Sequence, residues 1–334
     1  MNDPVHDAGS RADRPPARLY LPRWRGQRGR VEVWYATATD PADGTGLWIH
    51  HETVATDDGG AHAHGWAALF PQAGDPVCER FGPWPVASGN PPGDGAYFGS
   101  GSVTASPDRL SGDAGELSWR LQVTNGGRPL WTFPRWTWER EMLPAAQIVP
   151  APSASFTGEV TAAARRFTFT AAPGAVARIY GHGNALRWGW LHADLGGGDV
   201  LEVVAAVSRR AGMRRLPPLP FVQLRLGGRD WPRDPLSAGP LFRARLGLPS
   251  WSVRGAVGRR RLRVEVSQPA DRCVALTYHD PDGAAATCTN SEIASADVLL
   301  ERWSGRWRTE RHWRLDGTAH AEVGTRPDRA VTAI

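Results

Sequence analysis

The chain is predicted to be all-β, with few helices, arranged as two tandem antiparallel β-barrels or half-barrels. Gly and Pro account for 38 and 28 of its 334 residues and recur too often for long helices. The segments between them are short and alternate apolar with polar residues, the period of a half-buried strand. Each half offers roughly eight such segments, about what one closed or nearly closed barrel needs.

The length allows a substantial core and makes two domains the natural expectation. A composition 41% hydrophobic and 22% charged is that of a globular protein. The net charge of +5 is compatible with anionic lipid headgroups or nucleic acid but demands neither. Sixteen tryptophans stand against five tyrosines and nine phenylalanines. An indole brings a large apolar face and one donor, so this usage suits a large cavity or interface, although most of the sixteen would serve as core filler. All 39 basic residues are arginine, which with the abundant Ala, Gly and Pro reads first as the mark of a GC-rich genome. Cys78, Cys273 and Cys288 cannot all pair and have no metal-type spacing, favouring a reducing compartment. The first residues contain no apolar signal-type stretch, and no apolar run reaches the ~18 residues of a membrane span. The expectation is a cytoplasmic protein, with contact at a membrane surface left open. Its oligomeric state is not legible.

In chain order, residues 1–17 are polar and Pro-rich and are expected to be disordered. Strands are expected at 30–38, 46–55 and 62–70. If the last two form a hairpin about the Thr56-Asp57-Asp58-Gly59-Gly60 turn, Glu52 lies opposite His64 and His50 opposite Trp66. A one-residue slip would dissolve that face. A Gly/Pro loop is expected at 82–95, with Trp84 in it, then strands at 102–110 and 116–124. The segment 130–144 packs three tryptophans into eight residues, and its two prolines argue for an extended piece that caps a barrel or joins two. Gln147–Ser155, with Pro150 and Pro152, is the expected domain boundary, giving domains at 18–150 and 151–325 and a tail at 326–334. In the second half strands are expected at 154–160, 165–170, 199–209 (mostly apolar, hence buried), 219–226, 229–231, 250–254, 260–268, 272–279, 285–290, 296–303 and 306–315.

The chain is organised around one stretch, Arg178 to Leu195. From Leu186 onward, alternation puts Trp188, Trp190, His192 and Asp194 on one face and Arg187, Gly189, Leu191 and Ala193 on the other. A plain core strand does not place an acid and a histidine beside two indoles. The pattern suits the wall of an apolar pocket with a few converging polar groups.

The segment Tyr180-Gly181-His182-Gly183-Asn184, followed by Arg187-Trp188-Gly189-Trp190-Leu191-His192-Ala193-Asp194, resembles a pattern of the tocopherol cyclases. It is also similar to the equivalent strand of the hydroxyneurosporene synthases (carotenoid 1,2-hydratases). Glu32-Val33-Trp34-Tyr35 and Gly46-Leu47-Trp48-Ile49-His50-His51-Glu52 look like the opening strands of the same lipocalin-like (calycin-type) superfamily. The resemblance implies two tandem lipocalin-like domains with the active pocket between or inside them. It also implies an apolar isoprenoid- or polyketide-type ligand and non-redox chemistry without a cofactor.

Cyclases and hydratases of isoprenoids protonate an alkene and manage a carbocation. That requires a carboxylic acid or imidazolium kept protonated in an apolar site, and it benefits from indole faces. Asp194 is the expected acid, or the group that orients His192. His182 is the second proton-transfer group and Asn184 the substrate hydrogen-bond donor. Trp188, Trp190, Tyr180, Trp34, Trp48, His51, Glu52 and Trp66 are the expected substrate-binding residues. The alternative is that Asp194 ends the strand, pairs with Arg178 or Arg187 and does no chemistry. A metal at His50, Glu52, His62 and His64 is disfavoured, because the set lacks the order of a known metal pattern. The Arg- and Trp-rich end at 301–314 could stack nucleic acid, but Glu301 and Glu310 intervene and alternation predicts a hairpin with one solvated arginine face. No nucleic-acid partner is expected. A non-catalytic carrier on the same scaffold remains the alternative to an enzyme.

Overall fold

The computed structural model describes residues 17–86, 93 and 95–327. The expected disorder at 1–16, the tip of the Gly/Pro loop (87–92 and 94) and the tail residues 328–334 lie outside these. Two antiparallel sheets make up the molecule. The first contains β1 (Arg30–Thr39), β2 (Gly46–Ala55), β3 (Ala61–Phe70), β4 (Val77–Pro85), β5 (Phe98–Ser100), β6 (Val103–Ser106), β7 (Arg109–Ala114), β8 (Leu117–Thr124), β9 (Leu130–Trp131), β10 (Ala145–Ala162) and β11 (Arg165–Gly181). Its order is β4-β3-β2-β1-β11-β10-β8-β7-β6-β5, with β9 beside β10, and β4 approaches β7 so that the sheet nearly closes. The helix α1 (Arg135–Glu139) stands between β9 and β10.

The second sheet contains β12 (Arg187–Gly196), β13 (Asp199–Val207), β14 (Leu219–Leu226), β15 (Arg229–Trp231), β16 (Phe242–Arg245), β17 (Ser250–Val257), β18 (Arg260–Ser267), β19 (Val274–His279), β20 (Ala285–Trp303) and β21 (Trp307–Thr325), with the short α2 (Pro235–Ala238) before β16. Its order is β15-β14-β13-β12-β21-β20-β18-β17-β16, with β19 beside β20. The all-β expectation of barrels or half-barrels holds, as two antiparallel sheets of which the first is nearly closed, and the fold is of the lipocalin-like kind.

The β2–β3 hairpin forms in the expected register, with His50 opposite Trp66 and Glu52 opposite His64. Its turn closes by Thr56 N–H donating to Gly60 O (2.8 Å), and Gly59 adopts φ +100°, which a side chain would resist. Other expectations need correcting. Trp84 lies in β4, not in a loop. The 130–144 segment is not wholly extended, since the residues after Pro134 turn into α1; a proline just before a helix costs it no hydrogen bond. The segments 285–290 and 296–303 belong to one strand, β20, with register shifts between Ser291 and Ala296.

The expected boundary at Gln147–Ser155 lies inside β10, and both β10 and β11 belong to the first sheet. The chain passes to the second sheet at residues 182–186. Pro150 and Pro152 fall where the ladder to β11 shifts register and where β10 exchanges one neighbour, β9, for another, β8. Proline is tolerated in a strand at such irregularities, where its missing N–H is not needed.

Each sheet curls around its own core. Trp34, Ile49, Leu69, Trp119, Phe156 and Phe169 fill the first, and Leu191, Val203, Leu224, Trp251, Val264 and Val298 fill the second. The opposite faces of β1, β2, β3, β10 and β11 pack against β12, β13 and β19–β21. Trp48, Trp66 and Phe70 meet Trp188, Tyr278 and Cys288, while Tyr35, Val149 and Ala177 meet Trp190 and Val204.

Candidate active site

The layer between the sheets holds far more polar chemistry than a packing interface needs. Glu52, Glu202, Glu292, His50, His64, His192, His320 and Asn290 are buried, and Glu322, half-buried, lies beside them. Strand alternation puts them there. In β12 the face opposite the Leu191 and Ala193 core face carries Trp188, Trp190 and His192, and in β21 the corresponding face carries His320, Glu322 and Gly324. Glu202 of β13 and Asn290 of β20 continue the rows on either side.

Two acid–imidazole pairs sit back to back. His192 Nδ1 lies 2.9 Å from Glu202 Oε2, and His320 Nδ1 lies 2.6 Å from Glu292 Oε2. The two rings stack with centroids 6.0 Å apart. Glu202 also accepts from Trp190 Nε1 (2.7 Å) and, across the layer, from Gln147 Nε2 (2.5 Å), which donates to Tyr35 Oη (2.9 Å) as well. Glu292 accepts from Asn290 Nδ2 (3.1 Å) and from Thr37 Oγ1 of the first sheet. His192 Nε2 is buried and has no hydrogen-bond partner among the described residues.

Glu322 differs from these carboxyls in its setting. It accepts a bond from Trp188 Nε1 (2.7 Å), and Cys288 and Asn290 are its other polar neighbours. Burial pushes its carboxyl up to about 7, and the nearby Glu292 charge adds to that, against the pull of the Trp188, Cys288 and Asn290 bonds. A glycine makes the Trp188 contact. The indole lies flat over Gly324, and a Cβ there would come within 1.9 Å of its ring. Trp66 packs edge-on to Tyr278 (5.2 Å), and Trp188 lies tilted against the same ring at 6.4 Å. His50 stacks on Tyr278 (5.4 Å), and burial holds its imidazole down at about 3, hence neutral. Burial likewise raises Glu52, whose Oε2 is 3.1 Å from His50 Nε2 and 3.7 Å from His64 Nε2.

A chain carrying this layer on these two sheets has relatives. Residues 110–325 match the model of a family described as tocopherol cyclase-like. The chain belongs to the tocopherol cyclase-like family. The matched span includes Glu202, His192, Glu292, His320 and Glu322, and leaves β1–β6 outside it. Uncharacterised proteins of two Mycobacterium tuberculosis strains, CDC 1551 and H37Rv, are each 49% identical over 320 residues, spanning 95% of this chain and 93% of the relative. Among solved structures, an AttH-type protein of Nitrosomonas europaea superposes with a TM-score of 0.52 at 14% identity, over 89% of this chain and 92% of its own. Kievitone hydratase from Nectria haematococca superposes with a TM-score of 0.54 at 8% identity, over 95% of each chain. At these identities the superpositions speak to the fold.

The structure divides the residues singled out from the sequence. Trp188, Trp190, His192, Trp48, Trp66 and Glu52 come together in the layer. Asp194 does not: it lies two residues before the end of β12, and its Oδ1 accepts from Gly196 N–H (2.8 Å) at the turn into β13. Trp34 and His51 face the other way, into the first barrel. There Trp34 donates to Tyr20 O (2.8 Å) and His51 packs on Phe81, Tyr97 and Phe98. Tyr180 packs with Trp138 and Phe221 at the barrel mouth. His182 and Asn184 lie in the crossing at 182–186. Arg30 Nη1 is 2.9 Å from His182 Nδ1, and Asn184 donates from N and Nδ2 to Asp280 Oδ1, each 2.8 Å. His182 lines a cleft of about 350 Å³ with Glu141, Met142, Leu143, Pro144, Ser208, Arg209 and Arg210.

Glu322, Glu202, Glu292 and His320 were not found from the sequence. The signal was present: Asp199–Val207 carries one glutamate in an apolar run, and His320-Ala321-Glu322 repeats the spacing of His50-His51-Glu52.

Proposed function

We propose that this protein binds an apolar isoprenoid- or polyketide-type ligand between its two sheets and converts it by acid catalysis, without a redox cofactor, in a cyclisation, hydration or isomerisation. The observation that carries this reading is Glu322, a partly buried carboxyl bonded to the Trp188 indole, whose burial raises it to about 7. A neutral carboxylic acid in an apolar wall is what protonating an alkene at neutral pH requires. Glu322 would give its proton to one alkene carbon, and the faces of Trp188 and Trp66 would stabilise the resulting cation by about 2 kcal/mol each when desolvated. A hydroxyl of the ligand, or water, would then add to the cationic carbon. His192 is placed to take the proton this releases: Glu202 fixes its Nδ1 and leaves Nε2 without a partner. His192 faces His320, and Glu322 is two residues further along the same face. Such diagonal neighbours are roughly 7–8 Å apart, room for a small reacting unit between acid and base.

The cleft lined by His182 and Ser208 is the proposed approach. Both segments that run inward from it, the crossing at 182–186 and the end of β13, lead to Trp188, which pairs with Ala206. The kievitone hydratase similarity accords with this chemistry but does not name a ligand. A second reading is a carrier on the same scaffold, which the apolar, aromatic cluster of Trp48, Trp66, Trp188 and Tyr278 favours.

The test is turnover of a prenylated phenol in D2O, with native mass spectrometry of the retained ligand. The wild type should place one deuterium on carbon, and Glu322→Gln should retain ligand yet form no product. Equal turnover by Glu322→Gln would sink the assignment of the acid. Retention without turnover by the wild type would favour the carrier.

A further inference from the structure

The two segments that frame the cleft also carry an exposed surface around its mouth. Residues 135–144 hold α1 and the turn into β10, and residues 208–218 join β13 to β14. Met142, Leu143 and Pro144 form one wall of the cleft, and Ser208, Arg209 and Arg210 the other, so the two segments are neighbours. Large apolar side chains stand in solvent on both: Trp136 is 47% exposed, Met142 55%, Met213 40% and Leu216 51%. A fold with two well-filled cores has no need to leave four such residues outside on adjoining segments.

The charge on the same face is one-sided. Residues 135–144 and 208–216 contain six arginines and two glutamates, of which Arg209 pairs with Asp280 (3.7 Å) and Asp282 (3.8 Å) outside them. Both glutamates are already engaged, Glu139 by Arg135 (2.7 Å) and Glu141 by Arg23 (3.0 Å) and Arg30 (3.9 Å). Arg140, Arg210 and Arg215 are exposed around the apolar tips. Exposed indole, thioether and leucine among guanidinium groups match one environment closely: the headgroup boundary of an anionic bilayer. There apolar tips enter the acyl edge, and arginines bind phosphate in bidentate fashion. Nucleic acid would use the arginines but leave Met142, Met213 and Leu216 without a partner.

The other Arg- and Trp-rich surface, at the β20–β21 tip, is also basic but exposes fewer large apolar side chains. Trp303 is 44% exposed there, but Arg261 lies over the Trp307 ring at 4.7 Å. Glu301 pairs with Arg261 and Arg263, and Glu310 with Arg260 and Arg302.

We propose that residues 135–144 and 208–218 dock the protein peripherally on an anionic phospholipid bilayer, turning the cleft at His182 toward the lipid. An apolar ligand would then pass from membrane to protein without crossing water. The docking stands or falls independently of the acid chemistry, because vesicle binding requires no turnover.

The experiment is co-sedimentation with vesicles of phosphatidylcholine alone and of phosphatidylcholine mixed with phosphatidylglycerol. The full chain should pellet with the mixed vesicles, be released as salt is raised, and stay in solution with phosphatidylcholine alone. Arg210→Glu with Arg215→Glu should weaken binding by about tenfold or more, given the worth of each charge at such a surface. Met142→Ser with Leu216→Ser should weaken it several-fold at unchanged charge, and Trp303→Ser should bind as the wild type does. Thermal melting of each variant separates lost docking from lost fold. Failure of the wild type to bind mixed vesicles at low salt would overturn the proposal. So would loss of binding in Trp303→Ser with the cleft-segment variants unaffected. Arginine-dependent binding of a uridine oligonucleotide that survives Met142→Ser with Leu216→Ser, without vesicle binding, would assign the surface to nucleic acid instead.

Discussion

A carboxyl whose charged form is poorly solvated keeps its proton to higher pH, and burial raises Glu322 to about 7. If it is the acid, kcat should fall as pH rises through about 7, a limb that Glu322→Gln removes along with the activity. Stability carries the same signature. The unfolded carboxyl loses its proton near the ordinary 4.5 while the folded one keeps it to about 7, so the native state binds more protons across that window. Unfolding free energy contributed by this group therefore falls as pH rises from 4.5 to 7. His50 and His64, held down at about 3 and 4, act in the opposite direction between those values and 6.5. The difference between wild type and Glu322→Gln isolates the carboxyl, and in urea titrations the variant should gain relative stability toward higher pH. Asp194→Ala should leave turnover unchanged and cost no more than about 1 kcal/mol, since it removes only a turn contact at a strand end. The sequence made Trp188, Trp190 and His192 legible because period-2 alternation in one strand declares which side chains share a face. Glu322 was hidden because it lies 134 residues from Trp188, on a strand whose pairing with β12 no local pattern announces.

Elements were legible where turn chemistry sets them. The Asp57-Asp58-Gly59-Gly60 turn fixed the β2–β3 register, and with it the meeting of His50, Glu52 and His64. The domain boundary was misread because Pro150 and Pro152 carry the same letters in a linker as in a bulged strand, and only the change of neighbour from β9 to β8 tells them apart. Between β12 and β21 a single hydrogen atom decides the site. Gly324 lets the Trp188 indole lie down and reach Glu322. Gly324→Ala should lift the ring and break that bond. Because the bond lowers the Glu322 pKa, its loss should move the alkaline limb of the pH profile upward, with kcat reduced. A merely destabilising effect would lower the yield of folded protein without moving the limb.

At the scale of the molecule, the two sheets are joined by bonds between them: Gln147 to Glu202 and Thr37 to Glu292. Gln147→Leu removes a donor from a buried carboxylate and should cost about 1–3 kcal/mol. Urea unfolding should show a lower midpoint with an unchanged slope, as one transition for both sheets. The crossing at 182–186 has a further consequence, which concerns the order in which the chain is made. β1 waits for β11 before the first sheet can close, and β12 must wait for β21, the last strand of the described chain, before its free edge is paired. A growing chain on the ribosome can therefore complete its first barrel while β12 and β13 remain a hairpin with an open edge, exposing Trp188 and Trp190. The strand that covers that edge is the one that brings His320 and Glu322. The proposed acid is thus delivered by the closing step of assembly, and a chain stalled before β21 would be an aggregation-prone template and, on this reading, inactive.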